Sequence, residues 1–159
     1  MSPDATHLSF RRARFKTRLP MGRFYTAGHM WLREDGSDSW EIGLTRFALR
    51  MLGEPVDMDF EVKPGDAVER GDVVGWLEGF KALTEIYAPL SGEFRGGNPL
   101  LEKDIGAVHS STYDRGWLFR MNGTPGPDCL PTEGYAAVLD ATIDKMMGAE
   151  AVNEEGHLE

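Results

Sequence analysis

Lys81 sits between two short apolar runs. Val73, Val74, Trp76 and Leu77 read as one strand, and Thr84, Ile86 and Tyr87 as a second, built from the β-branched and aromatic residues that suit a pleated surface. The few residues between them fit a hairpin, with Gly79 supplying backbone freedom beside the turn. The turn then projects Lys81 into solvent. Unmodified, a lysine with a pKa near about 10.4 is an ordinary cation and no redox group. Held out on a turn, it suits acylation, although a solvated turn lysine is the default for any single lysine.

The neighbours of Lys81 have plain readings of their own. Glu78 is a strand carboxylate open to water. Phe80 is an aromatic that either packs inward or stays exposed as a partner anchor. Gly92 is a turn glycine whose backbone needs permissive φ. His29 and His109 have no nucleophile or oxyanion-hole motif near them in sequence. Cys129 is the one cysteine, so no internal disulfide forms, and paired Cys or His at metal spacing are absent. Any sulfur redox chemistry has to arrive on a cofactor.

Glu78-x-x-Lys81-Ala82, followed by Tyr87-x-Pro89-x-x-Gly92, resembles the lipoyl-attachment hairpin of the glycine cleavage system H protein family. Tyr25-x-x-x-His29-x-Trp31 resembles that family's opening segment, and Ile42-Gly43-Leu44-Thr45-x-x-Ala48 with Leu52-Gly53 its first short helix. Gly116-Trp117-Leu118-Phe119 is similar to its last strand, so the likeness runs in order over residues 24–123. The resemblance implies lipoate in amide linkage to Lys81, a contact of Glu78 with the lipoylating enzyme, and Gly92 as the glycine after the attachment site. Gly79 and Phe80 depart from the Ser and Val that usually precede the lysine. Ser110-Ser111-Thr112-Tyr113-Asp114 replaces an acidic, proline-containing loop.

The family implies a carrier that its partner enzymes act upon, itself no catalyst. In the glycine cleavage version the partners are a pyridoxal-phosphate decarboxylase, an aminomethyltransferase and dihydrolipoyl dehydrogenase. The chain also resembles H-like lipoate-binding proteins that serve a heterodisulfide-reductase-like complex in sulfur oxidation. The sequence reading leans to that branch on Gly79-Phe80, the changed loop and the C-terminal helix, with the glycine cleavage H protein as the alternative. A biotinyl carrier lacks its Met-Lys-Met context here. An unmodified binding module is the remaining alternative.

Composition bounds these readings. The 159 residues and their 41% hydrophobic content suit one domain with a modest core. A net charge of −9 argues against nucleic acid as partner. Residues 10–24 hold six basic residues and no acid, which leaves the rest of the chain at −15. An acidic body suits steered docking on basic partners, and it suits simple solubility as well. No apolar run of about 18 residues occurs, so a membrane span is not expected. A monomeric cytoplasmic protein is the expectation, or a mitochondrial matrix protein if the basic N-terminus is a transit segment.

The elements that hold the hairpin follow from punctuation and period. Residues 34–38 turn into a strand over 39–44, Thr45 caps a short helix near 45–52, and Gly53 stops it. Val56, Met58, Phe60 and Val62 alternate with acids as a half-wet strand. Turns at 63–66, 70–72, 89–92 and 96–99 cut the chain into short strands, leading up to Leu100 and Leu101. The fold expected is mainly β, a lipoyl/biotinyl-type hammerhead sandwich or flattened barrel. After a break at 123–128, Tyr135, Val138, Leu139, Ile143, Met146 and Met147 recur at helical spacing. The divisions are a basic N-terminal extension (1–23), a lipoyl-type domain (24–123), a linker with the C-terminal helix (124–152) and a disordered tail (153–159).

Overall fold

The computed structural model describes the backbone of residues 6–158 and the side chains of residues 6–148. Residues 1–5 of the expected extension and Glu159 of the expected tail lie outside the described residues.

The chain begins with β1 (His7–Arg12) and β2 (Phe15–Pro20), an antiparallel hairpin in register from His7 opposite Pro20 to Arg12 opposite Phe15. It continues through β3 (Phe24–Tyr25), β4 (Met30–Glu34), β5 (Ser39–Leu44), α1 (Arg46–Leu52), β6 (Pro55–Phe60), β7 (Ala67–Val68), β8 (Val73–Gly79) and β9 (Leu83–Tyr87). Then follow β10 (Gly92–Gly97), α2 (Pro99–Lys103), α3 (Ala107–Ser110), β11 (Phe119–Gly123) and α4 (Thr132–Leu158). One open sheet has the order β3-β4-β5-β11-β10-β7 and a second β6-β8-β9. The main core combines Leu32, Ile42, Phe94 and Phe119 of the first sheet with Val74, Leu77 and Ile86 of the second. The expected mainly β sandwich is therefore the fold observed.

Period-two alternation sends β4 two ways. Met30 and Leu32 enter the main core, while Trp31 enters a second core with Phe15, Leu19, Tyr25, Phe47, Tyr135, Leu139 and Ile143. Gly43, opposite Trp31 in β5, leaves room for the indole: a Cβ there would lie 2.5 Å from Trp31 Cε2. The indole N–H is shared between the carbonyls of Leu44 and Thr112, both at 3.1 Å. Both faces of this part of the sheet are thus covered.

The second cover is built in part by the segment read from sequence as a basic N-terminal extension. Phe15, Thr17 and Leu19 are buried while Lys16 and Arg18 stay in water, so the basic segment is an amphipathic hairpin with its cations on the outside. Arg12 forms ion pairs with Asp140 and Asp144 of α4. The Pro20 carbonyl accepts from the Tyr25 hydroxyl at 2.7 Å and from Thr132 Oγ1 at 3.0 Å. Tyr25 stacks on Tyr135 with ring centroids 4.8 Å apart. The helix runs on through 153–158, where a disordered tail was expected. Ala149, Glu150 and Ala151 continue it with good helix formers, and no proline follows Pro131.

Helix α1 forms as its punctuation predicts. Thr45 Oγ1 accepts from the Ala48 N–H, and Gly53 closes the helix at φ 80°. Helices α2 and α3 were not anticipated, because Leu100 and Leu101 read as more β structure. Asn98 caps α2 through Oδ1 to the Leu100 N–H at 3.0 Å, and Pro99 opens its first turn.

Candidate functional site

The last carbonyls of a helix have no partner inside it. At the end of α1 the turn between β8 and β9 supplies those partners. The Lys81 N–H donates to the Leu52 carbonyl at 2.8 Å, and the Phe80 N–H to the Glu54 carbonyl at 3.0 Å. Within the turn the Gly79 N–H donates to the Ala82 carbonyl at 2.9 Å, while Glu78 pairs with Leu83. The hairpin read from sequence is thus present, and the helix end pins it.

The Lys81 side chain is exposed and crosses Gly53, where an added Cβ would lie 3.0 Å from Lys81 Cγ. Its Nζ donates to the Arg50 carbonyl at 3.3 Å. Among the described residues no carboxylate pairs with that amine. An amide on Nζ would keep one N–H for the Arg50 carbonyl, so the anchor suits the acylated as well as the free side chain. The residues present therefore fit a covalently attached acyl group.

Glu78 is exposed on β8, and Phe80 is 81% exposed, which settles its direction outward. The two glycines work differently from the expectation. Neither Gly79 nor Gly92 takes positive φ; both answer a close approach. A Cβ on Gly79 would lie 2.3 Å from the Leu52 carbonyl oxygen, and one on Gly92 only 1.8 Å from that of Asn122. Gly92 is thus required by its pairing with β11, opposite Gly123, at a distance from the attachment turn.

A cavity of about 280 Å³ holds Lys81 together with Phe15, Lys16, Arg46, Arg50, Glu54 and His109. Lys16, Arg46 and Arg50 give this cavity three cations besides Lys81, with Glu54 among its lining residues. Tyr113 of the changed loop turns toward the start of α1, its hydroxyl accepting from the Arg46 N–H at 3.0 Å. Residues Lys16, Arg46 and Arg50 were missed in the sequence. The first came from a segment read as an appendage, and the others from the outer face of a helix read only for its apolar side.

His29 does not line the cavity that holds Lys81. Its Nδ1 lies 2.8 Å from the Tyr135 hydroxyl, which also lies 2.8 Å from Thr45 Oγ1. Burial holds its pKa below the ordinary histidine value. His29 is therefore a tie between α4 and the start of α1. Burial likewise pushes the Cys129 thiol up, away from the reactive thiolate.

Residues 23–128 match the family described as Glycine cleavage H-protein. The glycine cleavage system H protein of Photorhabdus laumondii subsp. laumondii is 36% identical over 125 residues, covering 77% of this chain and 95% of that one. The protein of the same name from Shewanella sp. strain W3-18-1 is also 36% identical, covering 77% and 96%. A crystal structure of a glycine cleavage system H protein from Mycobacterium marinum superposes with a TM-score of 0.67 at 28% identity, over 75% of this chain and 97% of that one. Strands β1 and β2 and helix α4 fall outside residues 23–128. Sequence, fold and attachment turn agree: the chain belongs to the glycine cleavage H-protein family.

Proposed function

We propose that the protein is a lipoyl carrier of the glycine cleavage type, with Lys81 as the attachment residue, and that it is itself no catalyst. The observation that carries this reading is the turn of Lys81. The turn's backbone is tied to Leu52 at the end of α1 and to Glu54 just beyond it, while the exposed amine reaches the Arg50 carbonyl. A lipoyl group supplies a strained cyclic disulfide that accepts an electron pair and a transferred group and is restored by thiol–disulfide exchange. The protein's part is to hold the root of that group in one place. Three backbone hydrogen bonds fix the turn, the Arg50 carbonyl orients Nζ, and the side chain of Phe80 faces any enzyme that approaches.

The partners in this reading are the lipoylating enzyme, the glycine decarboxylase, the aminomethyltransferase and dihydrolipoyl dehydrogenase. The relatives carry the glycine cleavage name and so support this version over the sulfur-oxidation branch favoured by the sequence reading. The outward Phe80 and the elements beyond the family match still favour partners of a different shape, and a heterodisulfide-reductase-like complex stays as the second reading.

Intact mass with peptide mapping of protein from its own host tests attachment. A lipoyl increment on the Lys81 peptide, absent in Lys81→Arg with the fold kept, is expected. A bare lysine in the native protein would remove the carrier reading. Reconstitution with glycine decarboxylase and aminomethyltransferase separates the pathways, since failure of a fully lipoylated chain there would reject the glycine cleavage version.

A further inference from the structure

The β1–β2 hairpin sorts its cations by face. Arg12 lies on the side turned to α4 and pairs with Asp140 and Asp144. Arg11 and Lys16 stand directly opposite each other on the other side, with Arg18 opposite Ser9 next to them and Arg14 in the turn. Arg11, Arg14, Lys16 and Arg18 are all exposed, and among the described residues no carboxylate pairs with any of them. Like charges directly opposite across an antiparallel pair weaken it. In a chain of net charge −9 the simple repair, an acid on one strand of the pair, is not used. A local arrangement that works against the fold points to a use outside it.

The cationic face does not end at the hairpin. Lys16 also lines the cavity of Lys81, together with Arg46 and Arg50 of α1, both exposed. Glu54 is the acid among these lining residues, and it faces His109 across 3.9 Å. One band of positive charge therefore runs from Arg18 and Arg11 through Lys16 to the rim around the attachment amine.

Resting on the carrier reading, we infer that this band is the docking surface for an acidic face of the enzyme that acylates Lys81. Partners that use a finished arm work at its far end and need not touch its root. The acylating enzyme must bring an activated acyl group to Nζ itself. The amine attacks the carbonyl of an acyl-adenylate, the amide C–N bond forms, the bond to AMP breaks, and Nζ gives up a proton. That enzyme's surface covers the cavity around Nζ, where it meets Lys16, Arg46 and Arg50, and Lys16 leads on to the hairpin. Carboxylates there relieve the opposition of Arg11 and Lys16 and steer the encounter. Strands β1 and β2 precede the family match at 23–128, so this surface is added to the family fold.

The test compares acylation of the full, unmodified chain by the lipoylating enzyme of its own host, supplied with lipoate and ATP and followed by intact mass. Arg11→Gln, Arg14→Gln, Lys16→Gln and Arg18→Gln together are expected to lower kcat/KM about tenfold or more, through KM with kcat kept, and to flatten its dependence on salt. A second variant, with Arg70→Gln, Arg95→Gln, Lys103→Gln and Arg115→Gln, has the same net charge, and its rate is expected to match the parent's. Lys16→Glu separates docking from folding, because it sets opposite charges across the hairpin: thermal stability is expected to hold or rise while KM rises. Equal kcat/KM in the parent and the first variant overturns the inference, and so does an equal loss in both multiple variants. Sedimentation of the parent with vesicles of phosphatidylglycerol and phosphatidylcholine, lost in the first variant while its acylation stays normal, overturns it in favour of a lipid surface. If the parent chain itself gains no lipoyl mass, the carrier reading fails and the inference falls with it.

Discussion

Gly79 approaches Leu52 so closely that a Cβ on the glycine would sit 2.3 Å from the leucine carbonyl oxygen. The attachment turn can rest on α1 only because this side chain is missing. Gly79→Ser, the residue usual in the family, is expected to lift the turn and cost about 1–3 kcal/mol, as overpacking does. Denaturant unfolding and amide exchange at Phe80 and Lys81 measure it. Unchanged exchange at both amides would show that the approach relaxes without loss. Phe80→Val, by contrast, is expected to leave stability alone, because the ring is already in water.

Leu19 is fully buried in the second core and lies outside the family match. Leu19→Ala is expected to cost about 2–5 kcal/mol, the range for a large-to-small change at a buried site. Thermal unfolding reads the loss, while the mass of the enzymatically lipoylated variant is expected to show Lys81 modified as before. A loss below measurement would mean that the hairpin is only loosely seated.

His29 makes stability depend on pH in a defined direction. Burial lowers its pKa in the folded chain from the ordinary 6.5, so below that pH the unfolded chain binds the extra proton first. Stability contributed by neutral His29 is whole above pH 6.5 and declines as pH falls below it. His29 holds a left-handed backbone at φ 67°, which asparagine tolerates. The melting temperature of the parent chain is therefore expected to fall more steeply than that of His29→Asn from pH 7 to pH 5. Parallel curves would contradict this.

Strand β6 is an edge of its sheet, yet its outward N–H groups are occupied. Asp57 Oδ1 accepts from the Met58 N–H and Asp59 Oδ1 from the Phe60 N–H, both at 2.9 Å. These carboxylates cover the donors that another strand would seek and add charge against it. Asp57→Ala with Asp59→Ala is expected to increase concentration-dependent self-association, measured by light scattering across a dilution series. A variant that stays as dispersed as the parent would show that the edge is guarded by other means.

The attachment hairpin was legible because its signal is local: two short β runs, a turn and a lysine. Thr45 and Gly53 bounded α1 for the same reason, since caps act within one turn of a helix. Asn98-Pro99 carried an equally local helix start, hidden by the turn-rich stretch around it. The roles of Gly79 and Gly92 were not legible, because each depends on a carbonyl brought close only by tertiary packing. The basic hairpin was misread through its charge. Phe15, Thr17 and Leu19 show the alternation of a strand, but six cations between residues 10 and 24 drew attention to the wet face. The cavity that holds Lys81 combines residues from positions 15, 50 and 109, a conjunction that spacing along the chain does not encode.

The tie between Pro20 and Thr132 joins segments more than a hundred residues apart. On the ribosome the hairpin emerges before its partner helix, so Phe15 and Leu19 meet Tyr25, Trp31 and Phe47 first and are covered by Tyr135, Leu139 and Ile143 only when α4 is released. Contacts of such sequence separation form late. The strands around the main core can assemble in the meantime, with the Lys81 turn already tied to α1. Closure of the second core then waits for α4, and a nascent chain stalled before residue 132 would display an acylatable lysine on a half-covered protein.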